Sequence, residues 1–155
     1  MAELVEDTVR EILEEVVAGL GLTGTIAVER DHEVVTGTVE GEDLGLFIGR
    51  HGQTIDAVQH LIFRIALARG AGDEGDLRVV IDAEGYRARR AEALQRVADQ
   101  AAEDARRYGR PVALDAMTAS ERKLVHEYLR ARGGVETYSE GEEPARHLVV
   151  APLVV

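Results

Sequence analysis

The 155-residue chain can hold one ordinary domain or two small ones, and its 45% hydrophobic and 30% charged residues are globular values. Without cysteine it excludes disulfides, thiolate zinc sites and cysteine nucleophiles, and with 4% aromatics and no tryptophan its core must be Val, Leu, Ile and Ala. The net charge of −11 opposes a phosphate-bearing partner, but it is uneven: residues 1–83 carry 17 acids against 6 bases, and residues 84–155 carry 12 of each.

Val5, Val9, Ile12, Val16 and Leu20 recur at spacings of three and four, which predicts an amphipathic helix stopped by Gly19 and Gly21. Thr25–Glu29 alternates as a short strand, and the polar Arg30-Asp31-His32 separates it from a second β-rich run, Glu33–Val39. Glu42–Ile48 fits one or two helical turns. After Gly49-Arg50-His51-Gly52, a helix over Gln53–Arg69 offers Ile55, Val58, Ile62, Ile65 and Leu67 to a core, and Asp76–Asp82 is a further strand. A second unit starts near Glu84. Its long helix, Tyr86–Tyr108, carries the stripe Leu94, Val97, Ala98, Ala101 and Ala105. Val112–Leu114 reads as a short strand and Thr118–Arg132 as a helix opened by a capping box, Thr118 to Glu121. Val135–Tyr138 and Arg146–Val150 read as paired strands around an acidic loop. The predicted class is α+β, with domains at 1–83 and 84–155.

Two positions carry chemistry. Glycines at 49 and 52 allow positive φ and close approach, and the helix that follows offers free N–H groups and the positive end of its dipole to a phosphodiester backbone. Arg50 adds a permanent charge at the tip and His51 a second donor, while Ile48 and Ile55 are expected to wall a groove for unstacked bases. In the later helix Arg122 and His126 lie four apart, one turn from each other on one face. Projection places Leu124, Val125, Tyr128 and Leu129 inward and Arg122 and His126 at the edge, with Lys123 and Arg130 continuing outward as a cationic strip.

Residues 48–59, Ile-Gly-Arg-His-Gly-Gln-Thr-Ile-Asp-Ala-Val-Gln, closely resemble the KH signature, and the α-β-β-α-α-β order resembles the type II KH arrangement. Residues 117–151 resemble the small nucleic-acid-binding domain named for its Arg-x-x-x-His spacing, with Arg146 at the basic position before the last strand. Together they resemble the Jag family of bacterial proteins, also called SpoIIIJ-associated or KhpB, from about residue 3 to 151. The resemblance implies a cytoplasmic protein that binds single-stranded RNA, with single-stranded DNA as the alternative. It also implies a role in cell elongation and division, and pairing with a KH-only protein or a second copy. Many relatives carry a further small N-terminal domain and linker before the segment seen here, and the acidic first half predicts a weak grip by its KH loop.

Other residues point elsewhere. Arg87, Arg89 and Arg90 are expected to form salt bridges with the acidic first half, and Arg106, Arg107 and Arg110 suit a helix carboxyl end. His32, His51, His60, His126 and His147 show no ligand spacing, so no metal or other cofactor is expected. No nucleophile and orienting carboxylate assemble around His126, so no enzyme is expected. No apolar run approaches the roughly 20 residues of a membrane span, and the acidic start is unlike a secretory signal, so no integral membrane insertion is expected. The competing class is a protein-interaction scaffold whose acidic half docks a basic or membrane-associated partner.

Overall fold

A computed structural model describes residues 2–154, and the chain divides into two compact units between Arg87 and Ala88. The first unit builds the expected order: α1 (Ala2–Gly19), β1 (Thr25–Asp31), β2 (Val34–Glu40), α2 (Gly45–Ile48), α3 (Gln53–Ala68) and β3 (Arg78–Ala83). β1 pairs antiparallel with β2, from Thr25 against Glu40 to Asp31 against Val34, and β2 pairs parallel with β3. The first strand therefore runs two residues past Glu29. Arg30 and Asp31 keep their places in the ladder, and the turn falls on His32, which takes positive φ.

One core holds this unit together. α1 contributes Val5, Val9, Ile12, Leu13 and Val17, and α3 contributes Ile55, Val58, Ile62 and Ala66, against Val35, Val39, Val79 and Ile81 of the sheet. Periodicity alone puts Leu20 on the inner stripe of α1, but the helix ends at Gly19 and Leu20, whose N–H still donates to Val16 O at 2.9 Å, is exposed. Leu13 and Val17 take the inner places instead. Gly37 lets α1 lie close on the sheet: a Cβ there would sit 2.6 Å from Val9 Cγ1 and 2.8 Å from Leu13 Cδ1.

The long helix α4 (Tyr86–Tyr108) carries the chain into the second unit, followed by β4 (Val112–Ala113), α5 (Ala119–Arg132), β5 (Val135–Glu140) and β6 (His147–Pro152). The three strands form an antiparallel sheet in the order β4-β6-β5. Leu94, Ala98, Ala101, Ala102 and Ala105 of α4 pack with Val125 and Leu129 of α5 and with Leu148 and Val150 of β6. Val97, expected in that stripe, falls to its edge and is exposed, and Ala102 takes the inner position. Thr118 and Glu121 cap α5 reciprocally: Thr118 Oγ1 accepts from Glu121 N–H and Glu121 Oε2 from Thr118 N–H, each at 3.3 Å. Such a cap stabilises a helix by about 1 kcal/mol. Among the described residues no helix is long and apolar enough to cross a membrane.

Candidate nucleic-acid interface

In the first unit the interface is built from backbone. Gly49 closes the single turn of α2 by donating its N–H to Gly45 O at 2.8 Å, then leaves the helix at φ 75°. Residues 50–52 make one 3₁₀ turn in which His51 (φ 54°) and Gly52 (φ 76°) are left-handed, and α3 starts at once. Both glycines are required by space as well as by φ. A Cβ on Gly49 would lie 2.2 Å from Thr54 Oγ1, and one on Gly52 would lie 2.9 Å from the Tyr86 ring. No side chain caps the amino end of α3, so its first N–H groups and dipole face the loop.

The loop's electrostatics are set by three side chains. Arg50 is exposed and, among the described residues, makes no ion pair. His51 is half-buried. Asp56, the one acid in the first turn of α3, would repel a phosphate, but Arg87 Nη1 holds it at 2.9 Å. Arg87 also donates from Nη2 to Gln59 Oε1 at 3.0 Å and from Nε to Ile81 O at 2.7 Å. This is the pairing with the acidic first half expected of it. Ile55 does not wall a groove: it is one of the inward positions of α3 and lies fully in the core. Ile48 is half-buried, and Leu46 is the exposed apolar side chain beside the loop.

In the second unit the interface is built from side chains. α5 supplies Ala119, Arg122, Lys123 and His126, β5 supplies Thr137, Tyr138 and Ser139, and Arg146 and Leu148 complete an open cleft of about 360 Å³. Four of the five cationic or imidazole side chains expected here converge on it. Arg130 does not: it is exposed, almost two turns beyond Lys123, outside the cleft.

Arg122 also departs from expectation. Helical projection puts it at an exposed edge, yet its side chain is only 10% exposed. Nη1 donates to Met117 O at 2.5 Å, and Nη2 meets Glu143 Oε1 at 2.7 Å. The loop between β5 and β6 brings Glu143 there, a contact no helical projection contains. His126 Nδ1 bonds the Thr137 hydroxyl. Among the described residues every buried side-chain nitrogen and oxygen has a partner, so the unbonded Nε2 of this half-buried ring is open to solvent. Arg146 Nη1 donates to Gly141 O at 2.6 Å. Lys123 is exposed and, among the described residues, unpaired.

Thr137, Tyr138 and Ser139 line the cleft although sequence reasoning assigned them no role. The signal was the period of two along β5, which turns Thr137 and Ser139 to the half-buried side and Tyr138 to the exposed one. Arg90 pairs with Glu121 at 2.7 Å, inside its own unit. Arg107 and Arg110 lie over the Tyr108 ring at 5.6 Å. Among the described residues no group of three metal-ligating side chains assembles.

Two family models match, and they divide the chain as these two candidate sites do. The KH domain of KhpA/KhpB matches residues 6–81, and the domain named for the Arg-x-x-x-His spacing matches residues 92–152. The chain is similar to three proteins named RNA-binding protein KhpB. That of Clostridium symbiosum is 34% identical over 151 residues, covering 96% of this chain and 67% of the relative. That of Lactiplantibacillus plantarum is 39% identical over 136 residues (88% and 41%), and that of Bacillus subtilis 34% over 143 residues (91% and 66%). The chain thus spans from two-fifths to two-thirds of the length of these relatives. With a KhpA/KhpB-type KH domain followed by an Arg-x-x-x-His domain, and with this identity across nearly its whole length, the chain belongs to the KhpB family.

Proposed function

We propose that the chain binds single-stranded RNA without catalysing a reaction, using Gly49–Gly52 for the sugar-phosphate backbone of one stretch and the α5–β5 cleft for another. The observation that carries this is the cleft. Lys123, His126 and Arg146 converge on one open space. Cationic side chains held at such a cleft suit phosphate oxygens. Arg122 supplies the innermost positive charge. At the loop, N–H groups at the amino end of α3 and Arg50 receive phosphate while Asp56 is neutralised by Arg87. Two weak contacts on one chain reinforce each other through effective concentration, so neither has to be tight.

On this reading the protein works in the cytoplasm as a regulator of cell elongation and division, and it pairs with a KH-only protein or with a second copy. The name RNA-binding protein KhpB carried by its relatives supports RNA as the ligand.

The test is fluorescence anisotropy of labelled single-stranded RNA, with single-stranded DNA alongside, across a salt series. The native chain is compared with Arg50→Asp/His51→Asp and with Lys123→Ala/His126→Ala. Native binding that weakens with salt, and weakens at least about tenfold in each double variant, is the expected result. Absence of native binding at low salt, or double variants that bind like the native chain, overturns the proposal and leaves the acidic half to a protein partner.

A further inference from the structure

Two of the cleft's arginines grip the same loop. Arg122 Nη2 holds Glu143 Oε1 at 2.7 Å, and Arg146 Nη1 holds Gly141 O at 2.6 Å. Both acceptors belong to the segment between β5 and β6, whose Ala145 N–H also closes a turn on Glu142 O at 2.8 Å. The inner edge of the Arg122 guanidinium is fixed on Met117 O. Its other edge is the one a phosphate would take, and it already carries an anion.

The two partners differ in exposure. The Arg122 side chain is 10% exposed and that of Glu143 is 60%, so the carboxylate is the outer member of the pair and can leave into water while Arg122 stays in place. A carboxylate and a phosphate use the same fork of N–H donors. Glu143 is tethered, so it meets Arg122 at high effective concentration, and RNA must displace it. The loop is held by the donors that a polynucleotide would recruit.

We propose that Glu143 sets the affinity of the cleft for RNA, by occupying the phosphate-facing edge of Arg122 until a phosphate displaces it and frees the loop 141–146. This rests on the proposed RNA binding. Displacement subtracts a fixed amount from the free energy of binding, as for any ligand whose competent state is only a fraction of the population. The phosphate reaches Arg122 whether or not it first displaces Glu143, and the counterions released come from the RNA, so the salt dependence is unchanged.

The experiment uses the full chain and a fluorescein-labelled single-stranded RNA of mixed sequence, read by anisotropy over a salt series. Glu143→Gln keeps the shape of the side chain and removes its charge. The expected result is binding tighter by about three- to tenfold at low salt, with the log–log salt slope unchanged because the same phosphates are contacted. Glu142→Gln removes the same charge from the same loop at a residue that does not hold Arg122, and it is expected to gain less than about twofold. A second measurement follows amide hydrogen exchange of residues 141–146 in the native chain, which is expected to quicken when RNA is added. Glu143→Gln binding no tighter than native, Glu142→Gln gaining as much, or loop exchange that slows on adding RNA each overturns the inference while leaving RNA binding intact. A native chain and a Glu143→Gln chain that both fail to bind RNA overturn the proposed function, and this inference with it.

Discussion

The Gly49–Gly52 loop and the α5–β5 cleft offer N–H donors by opposite means. The loop does it with backbone: two glycines at positive φ, an uncapped helix start and one permanent charge, Arg50. The cleft does it with Arg122, Lys123, His126 and Arg146, and all but Lys123 are tied to neighbours in their own unit. The difference follows the charge of each half. Where acids outnumber bases by 17 to 6, uncharged N–H donors can be offered without adding scarce cations; where they balance at 12 each, cations can be clustered and held by partners. The loop should therefore be intolerant of anything that alters its backbone, and the cleft should respond to single charges.

The largest effect tests the first half of that contrast. Gly49→Ala puts a Cβ 2.2 Å from Thr54 Oγ1 at a φ of 75°, where left-handed strain and a clash add. We expect a loss of about 2–4 kcal/mol in urea unfolding. Lys123→Ala in the cleft should stay within about 0.5 kcal/mol of native, because Lys123 is exposed and unpaired among the described residues. Equal midpoints for Gly49→Ala and native would mean that the loop is not made by its backbone.

A smaller effect separates two neighbours within the cleft. Arg122→Ala leaves Met117 O without its donor and Glu143 without its partner, at a site where the arginine is nearly buried. The expected loss is about 2 kcal/mol of stability, discounted from a fully buried pair because Glu143 is largely in water. Lys123→Ala should instead lower the salt slope of RNA binding by about 0.7 with stability unchanged. Urea titration and anisotropy on both variants check this. If Arg122→Ala keeps native stability and merely weakens RNA binding, Arg122 is a free ligand and not a tethered one.

This contrast also governs how much could be read from the residues in order. The α+β class and the element order were legible because periods of 3.6 and 2 and glycine stops are local properties. The loop's geometry was legible too: it lies in the spacing of Gly49 and Gly52 and the helix that follows, all within a few residues. Arg122 and His126 were recognisable from their spacing, but not their setting. The strand that supplies Thr137, the loop that supplies Glu143, and the burial of Arg122 are tertiary facts, and a helical projection has no term for them. Ile55 shows the same limit in reverse, since proximity to the loop in sequence suggested a groove wall where the inward face of α3 required a core residue.

The smallest expected effect concerns like charges, which the acidic unit has to place against each other. Glu40, at the end of β2, lies beside Glu84, whose Oε1 accepts the Gly41 N–H at 2.5 Å. Repulsion from Glu84, helped by desolvation, holds the Glu40 carboxyl above its ordinary 4.5. A group raised in the folded state binds its proton more tightly there than when unfolded. Its contribution is therefore fully present below 4.5 and lost as pH rises through the folded value. Glu11 runs the other way: the hydrogen bond and charge of Arg69 hold it below 4.5, so its contribution is present above that and is lost on acidification. Glu40→Gln should accordingly be more stable than the native chain near neutral pH, and the difference should shrink to nothing as pH falls below the unfolded value. Melting temperatures of both chains across a pH series measure this directly. A difference that stays constant with pH would mean that Glu40 and Glu84 do not repel in the folded unit, and that its acidity is carried without internal cost.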